Sequence, residues 1–402
     1  MKSKLLILLC IIFTQTFGQT PPASYEFITK QKLYNFSDTI LLQLSKDTRF
    51  QHAAVMLSFI NNYKKALQVW DWEHHYKTEL NHDDSLYFQQ FKPRNAKDFI
   101  VERAGKEQII ILNEAHHQPC HRVFTESLLA DLYKAGYRYF GAETLGYNDT
   151  VLNQMKHPVL WSGYYTRQPQ YGNLVRTALQ KGFYVFSYEQ QNATGGPERE
   201  IEQAKNIKAI LDKNPKAKII IHCGYAHLSE GEMPRWGKAM AGRLKEFTGI
   251  DPFTINQTEW TERSSPEYEN PLFRIINLDY YAVFIDSSGN LFNGAPHDND
   301  NDYDYDVRVY HPRTKWIDGR PHWVFENGRQ SFFVNNQITI SYPCLVFAYH
   351  AEENYPSAVA ADIIELKNKD DKVALSLRKG EYNIVIKDAK GKEQIIKVKT
   401  KP

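Results

Sequence analysis

Between Glu114 and His121 the chain sets one glutamate and three histidines within eight positions, in the run NEAHHQPCH. Glu143, Arg199 and His227 follow further along. Groups that titrate or ligate metals are costly to bury without purpose, and they gather at functional sites. Two chemistries fit these residues. In one, His117 is a general base on water, Glu114 or Glu143 orients it, and Arg199 and His227 stabilise the negative charge that develops on an ester, lactone or related carbonyl. In the other, two imidazoles and a carboxylate hold a divalent metal that activates water. No spacing here is a dedicated metal signature. Cys120 and Cys223 both flank histidines, but Pro119 and the strand around Cys223 point to packing as much as to a nucleophile. Gly195-Gly196 is too little for a phosphate-cradling loop.

The elements that must position these groups alternate regularly. The apolar run 109–112 has the length and β-branching of a buried strand and stops at Asn113. Helical spacing takes over at 121–135, with Phe124, Leu128, Leu132 and Tyr133 on one face and Gly136 as the stop. A strand over 137–142 delivers Glu143. Helix 172–181, strand 183–187, helix 197–213, strand 218–222 and helix 234–247 complete an α/β pattern with a mostly parallel sheet. The third strand ends at Tyr188 and Glu189, and the fourth carries His222, with His227 in the loop beyond. Gly224 lets the backbone turn sharply there. Arg199 sits near a helix start marked by Pro197 and faces the same edge, unless it merely pairs with Glu200 or Glu202. The carboxyl edge of such a sheet is where ligands bind.

These stretches resemble the erythromycin esterase / ChaN-like superfamily, with the Tiki and TraB proteins as distant relatives. The esterase pattern Glu-x-x-His-x-x-x-His, followed by a glutamate after the next strand, maps onto Glu114, His117, His121 and Glu143. The ChaN-like pattern, Glu-x-His with a further histidine five positions on, maps onto Glu114, His116 and His121. PEREIEQAKNI is similar to the arginine-bearing helix and maps onto Arg199, and IIIHCGYAHL to the late Gly-x-x-His element ending at His227. The resemblance covers roughly residues 95–250. Asn113 stands where that family has glycine, and the pair His116-His117 satisfies both subfamily patterns. What it implies is an α/β fold and either histidine-dependent hydrolysis without an obligatory metal or haem binding, with His116 as the cofactor-side residue. It does not imply a macrolide substrate, and metal and haem both stay open.

The rest of the chain frames this core. Lys2 and Lys4, the apolar run 5–13 and a polar, small-residue close at Gly18 form a secretory-signal pattern, too short to span a bilayer. An exported, periplasmic or secreted protein follows, with no membrane span after cleavage. The 402 residues carry a net charge of +2 and no long basic stripe, which argues against nucleic acid and leaves a small-molecule substrate or ligand. Beyond the signal, Cys120, Cys223 and Cys344 permit a disulfide between the first two but imply no disulfide framework. The organisation expected is a signal peptide over 1–18, a helical region over 19–94, the α/β domain over 95–329, and an immunoglobulin-like β-sandwich over 330–402. His74, His75 and His82 read as a solvated helix end or turn. The alternating acids Asp298, Asp300, Asp302, Asp304 and Asp306 lack the glycine and glutamate of a calcium loop and read as a solvated acidic loop.

Overall fold

The computed structural model describes residues 33–74, 77–146, 150–190, 195–234, 236–297 and 304–401. The expected signal peptide, His75 and the acids Asp298, Asp300 and Asp302 lie outside them. Three helices open the described chain: α1 (Ser37–Leu44), α2 (Phe50–Phe59) and α3 (Tyr63–Glu73). The central sheet is then built from β1 (Ile109–Glu114), β2 (Tyr139–Ala142), β3 (Tyr184–Phe186), β4 (Ile219–Gly224), β5 (Phe253–Asn256) and β6 (Val307–Arg308). Its order is β6-β5-β1-β4-β2-β3, and every neighbouring pair is parallel.

Ile109–Leu112 and Ile219–Ile221 are fully buried because helices cover both faces of these central strands, the arrangement that near-continuous aliphatic runs require. Ile110, Leu112, Phe140 and Ile220 pack toward α4 (Cys120–Lys134) and α5 (Pro169–Lys181). Ile109, Ile111, Ile219 and Ile221 pack on the other face toward α6 (Gly196–Lys213) and α7 (Met240–Thr248). The α/β expectation therefore holds. Within it, the helix expected over 234–247 begins only at Met240. Before it the chain folds a short hairpin, Glu232–Met233 against Gly237–Lys238, because Gly237 adopts a φ of 68° that ends any helical run.

The C-terminal part is antiparallel. It comprises β7 (Arg329–Phe332), β8 (Cys344–His350), β9 (Asp362–Leu366), β10 (Leu375–Arg378), β11 (Gly380–Asp388) and β12 (Glu393–Thr400). Four of these form a sheet in the order β9-β8-β11-β12, while β7 pairs with β10 separately. One face of the four-stranded sheet packs on Val334, Leu375 and Leu377. The other packs on the N-terminal helices, with Leu345, Phe347, Ile363 and Val385 against Ile40, Ala54, Leu57 and Val69. Among the described residues no helix is long and apolar enough to cross a membrane.

Candidate acid–base site

Glu114 ends β1 and is buried. Arg122, in the first turn of α4, forks onto it, Nε to Oε2 and Nη2 to Oε1, both at 2.6 Å. The same carboxylate meets His116 Nδ1 at 2.9 Å and His222 Nε2 at 2.8 Å. Burial by itself would raise this carboxyl; the Arg122 guanidinium and the two imidazoles overcome it and hold Glu114 well below the usual carboxylate range. An ionised Glu114 only accepts, so it assigns the protons: Nδ1–H on His116 and Nε2–H on His222. In the neutral His116 ring, Nε2 then carries the lone pair.

Tyr165 stacks on the His116 ring at 3.9 Å between centroids and 21° between planes. The ring lies over Gly224, the last residue of β4. A Cβ at that position would stand 2.5 Å from His116 Nε2 and 2.8 Å from Glu143 Oε2. The imidazole and the second carboxylate thus converge above a residue with no side chain.

Glu143 follows β2 directly. The Gly224 N–H donates to its Oε2, and Arg199 Nη2 donates to Oε1 at 2.9 Å. Burial opposes its ionisation, but His227, His116 and Arg199 bring its pKa down to about 2. Arg199, in the first turn of α6, reaches Glu189 with Nε at 3.2 Å and with Nη2 at 2.8 Å. Its Nη1 donates to His227 Nε2 at 2.9 Å. Four of the five guanidinium N–H groups are thereby engaged, and the second N–H on Nη1 has no partner among the described residues. His227 places Nδ1 2.8 Å from Glu200 Oε2, which also accepts the Met240 N–H, and its ring stacks on Trp236. Burial disfavours the imidazolium here, yet Glu143 and Glu200 outweigh it and raise the His227 pKa. The Arg199 contact requires a lone pair at Nε2, so the ring as arranged is neutral with its proton on Nδ1. Protonation at Nε2 would break that bond and leave a donor 3.7 Å from Glu143 Oε1.

Glu114, Glu143, Arg199 and His227 therefore share one place with His116, at the carboxyl ends of β1, β2 and β4. His117 and His121 hydrogen-bond to neither carboxylate. His117 stacks on Trp70 of α3 at 4.0 Å and 9°, with Nδ1 3.4 Å from the Tyr225 hydroxyl. Burial, then the charge of Arg263, pushes its pKa well below the ordinary value. His121 accepts the Ala115 N–H at Nδ1, 3.0 Å away, and meets His311 edge-on. The carboxylate-oriented imidazole is thus His116 rather than the expected His117. The chain turns tightly after β1, with Gln118 N–H on Ala115 O at 2.8 Å, and consecutive side chains diverge there.

Arg122, His222, Glu189 and Glu200 complete the cluster without having been singled out as site residues. Arg122 and Glu200 adjoin residues that were, and a charged residue in the apolar-faced first turn of α4 was the available signal. A cavity of ≈ 500 Å³, lined by Gln68, Asp71, Trp72, Ser264 and Tyr268, shares no residue with this cluster. The described cysteines Cys120, Cys223 and Cys344 are buried free thiols, and burial pushes Cys120 up to about 12, which rules against a resting thiolate nucleophile.

No family model matches the chain, and no curated protein does. Among solved structures it is similar to the type III effector HopBA1, at 13% identity and a TM-score of 0.32 over 43% of this chain and 89% of that one. It is similar to ChaN of Campylobacter jejuni, described with cofacial haem, at 10% identity and a TM-score of 0.28 over 42% and 88%. RRSP, a MARTX toxin effector domain from Vibrio vulnificus, matches at 16% identity and a TM-score of 0.28 over 54% and 45%. Likenesses of this degree leave the family and the chemistry to be argued from the residues.

Proposed function

We propose that the protein hydrolyses an ester or amide bond, with His116 as the general base. One observation carries the reading: Glu114 holds the Nδ1–H of His116, and Nε2, without a partner among the described residues, lies above Gly224 and beside Glu143. An imidazole backed by an ionised carboxylate takes a proton from water at Nε2 while its Nδ1–H stays bonded. The water oxygen then attacks the carbonyl carbon. The remaining N–H of Arg199 is the donor for the oxygen that becomes negative. Neutral His227 accepts from Arg199 at Nε2 and holds that guanidinium in place. His116 returns its proton to the leaving oxygen or nitrogen. His117 has no step in this scheme. An imidazole nitrogen backed by a carboxylate also has the chemistry of a metal or haem ligand, the binding alternative.

The test is a panel of chromogenic esters and amides with the purified full chain. His116→Ala is expected to lower kcat by about 10²–10⁴, and His117→Ala by less than about tenfold on the same scale. Hydrolysis that survives His116→Ala and is lost in His117→Ala would overturn the assignment. A haem absorbance band that needs His116, in a protein that hydrolyses nothing, would replace it with the binding reading.

A further inference from the structure

We infer that Cys120, His121 and His311 form a separate site for a zinc-class divalent cation. Cys120 and His121 open α4, and His311 lies just beyond β6. All three are buried, and one donor atom from each lies within 4.8 Å of the others. Among the described residues, His121 Nε2 and His311 Nδ1 have no hydrogen-bond partner, although both are buried. Two orphaned imidazole nitrogens in one core region need an explanation. The Cys120 sulfur makes long contacts to Gln118 O at 4.0 Å and Gln118 Oε1 at 3.8 Å, and also hydrogen-bonds with the Thr261 and Tyr63 side chains and the His121 backbone. One thiol and two imidazoles form a zinc donor set that leaves a fourth position open.

The surroundings of His311 suit a ligand. Gln257 Nε2 donates to Asn113 O at 2.8 Å, which fixes that amide and turns its Oε1 toward His311 Nε2 at 3.2 Å. The ring proton therefore sits on Nε2, and Nδ1 presents its lone pair, as outer partners of metal ligands arrange it. His121 starts in the opposite tautomer, since its Nδ1 accepts the Ala115 N–H. Coordination through Nε2 moves the ring proton to Nδ1 and leaves Ala115 N–H without its acceptor, a loss on the order of 10- to 100-fold in affinity. The Cys120 thiol gives up its proton to solvent as the metal–sulfur bond forms, so one proton is released per ion bound. Tetrahedral zinc sets donor atoms roughly 3.3–3.8 Å apart, so binding draws donors that stand within 4.8 Å of one another together by up to about 1.5 Å. His121 adjoins Arg122, so an ion here braces the residue that forks Glu114 without touching His116.

The full chain should be produced in minimal medium supplemented with zinc or cobalt chloride, dialysed exhaustively, and analysed by elemental mass spectrometry and visible absorption. The expected result is about one metal per chain and, with cobalt, the thiolate-to-cobalt charge-transfer band of a tetrahedral site. Cys120→Ser should remove that band, His311→Gln should release the metal, and His117→Ala should retain both. The wild-type spectrum decides even if a variant fails to fold. Folded wild-type protein that retains no zinc and shows no cobalt–thiolate band overturns the site, as does metal retention by both Cys120→Ser and His311→Gln. The acid–base reading survives either outcome, because the two sites share no residue.

Discussion

Glu114 and Arg122 are almost wholly buried, at 1% and 0% exposure, and each is the other's main counter-ion. Removing one charge from such a pair strands the other, at a cost of about 3–5 kcal/mol. Glu114→Gln is therefore expected to lower the urea midpoint sharply as well as abolish turnover, which makes it a poor probe of the base. His116 leaves no buried charge behind when truncated and is the cleaner test. Glu143 gives a pH signature. Its folded pKa of about 2 lies below the unfolded value, so its stabilisation is present above about pH 4.3 and is lost as pH falls toward 2. The shift is worth about 3 kcal/mol. Urea midpoints between pH 5 and 2 should fall less steeply in Glu143→Gln than in the wild type; parallel curves would refute the coupling. At this scale the sequence pointed to Glu114, Glu143 and Arg199 but not to Glu189 or Glu200 as site residues, nor to the choice between His116 and His117. Neighbouring residues in a turn face opposite ways, and spacing alone does not say which one meets the carboxylate.

The strands position the site through their last residues. Glu114 pairs in register with Gly224, and Ala142 with His222, so one edge presents both carboxylates around the glycine. Gly224→Ala would push a methyl into His116 and Glu143, both held by hydrogen bonds. Gly141→Ala, one strand over, would instead meet Ile221 Cδ1 and Phe186 Cζ, each at 2.7 Å, inside the core. Both substitutions overpack and should cost about 1–3 kcal/mol. Only Gly224→Ala should also depress kcat, by at least about 100-fold on the scale of a lost general base. Equal activity loss in the two variants, at matched stability, would remove Gly224 from the site. The strands themselves were legible because isoleucine runs buried on both faces leave little choice. The helix expected over 234–247 was not, since a helical apolar pattern continues through Gly237 and only the backbone geometry shows the break there.

The C-terminal strands pack directly on the helices α1–α3 and are also tied to the α/β sheet domain. The sheet β9-β8-β11-β12 buries one face against α1–α3. Strand β8, CLVFAYH, is buried at six consecutive positions, so apolar residues face both layers. Antiparallel strands were readable from such runs and their turns, but periodicity says which residues are covered, not by what; helices from the opposite terminus carry no local signal. Charges reinforce the junction. Arg176 of α5 forks onto Glu353 at 2.6 and 2.8 Å, and Glu126 of α4 takes Arg329 at 2.8 Å together with Arg378. A chain ending at residue 329 would keep Arg176 without Glu353 and strip the apolar cover from α1–α3. It should lack the cooperative thermal transition of the full protein, and a sharp melt with native near-UV dichroism would contradict this. A subtler version isolates the ion pair. Arg176→Met alone should cost about 3–5 kcal/mol, because Glu353 is left charged and buried, whereas Arg176→Met with Glu353→Leu should restore much of that loss. The cycle, read from denaturant midpoints, has one result that refutes it: a double variant as unstable as the two single losses summed would mean these charges act independently rather than as one link between the α/β sheet and the C-terminal strands.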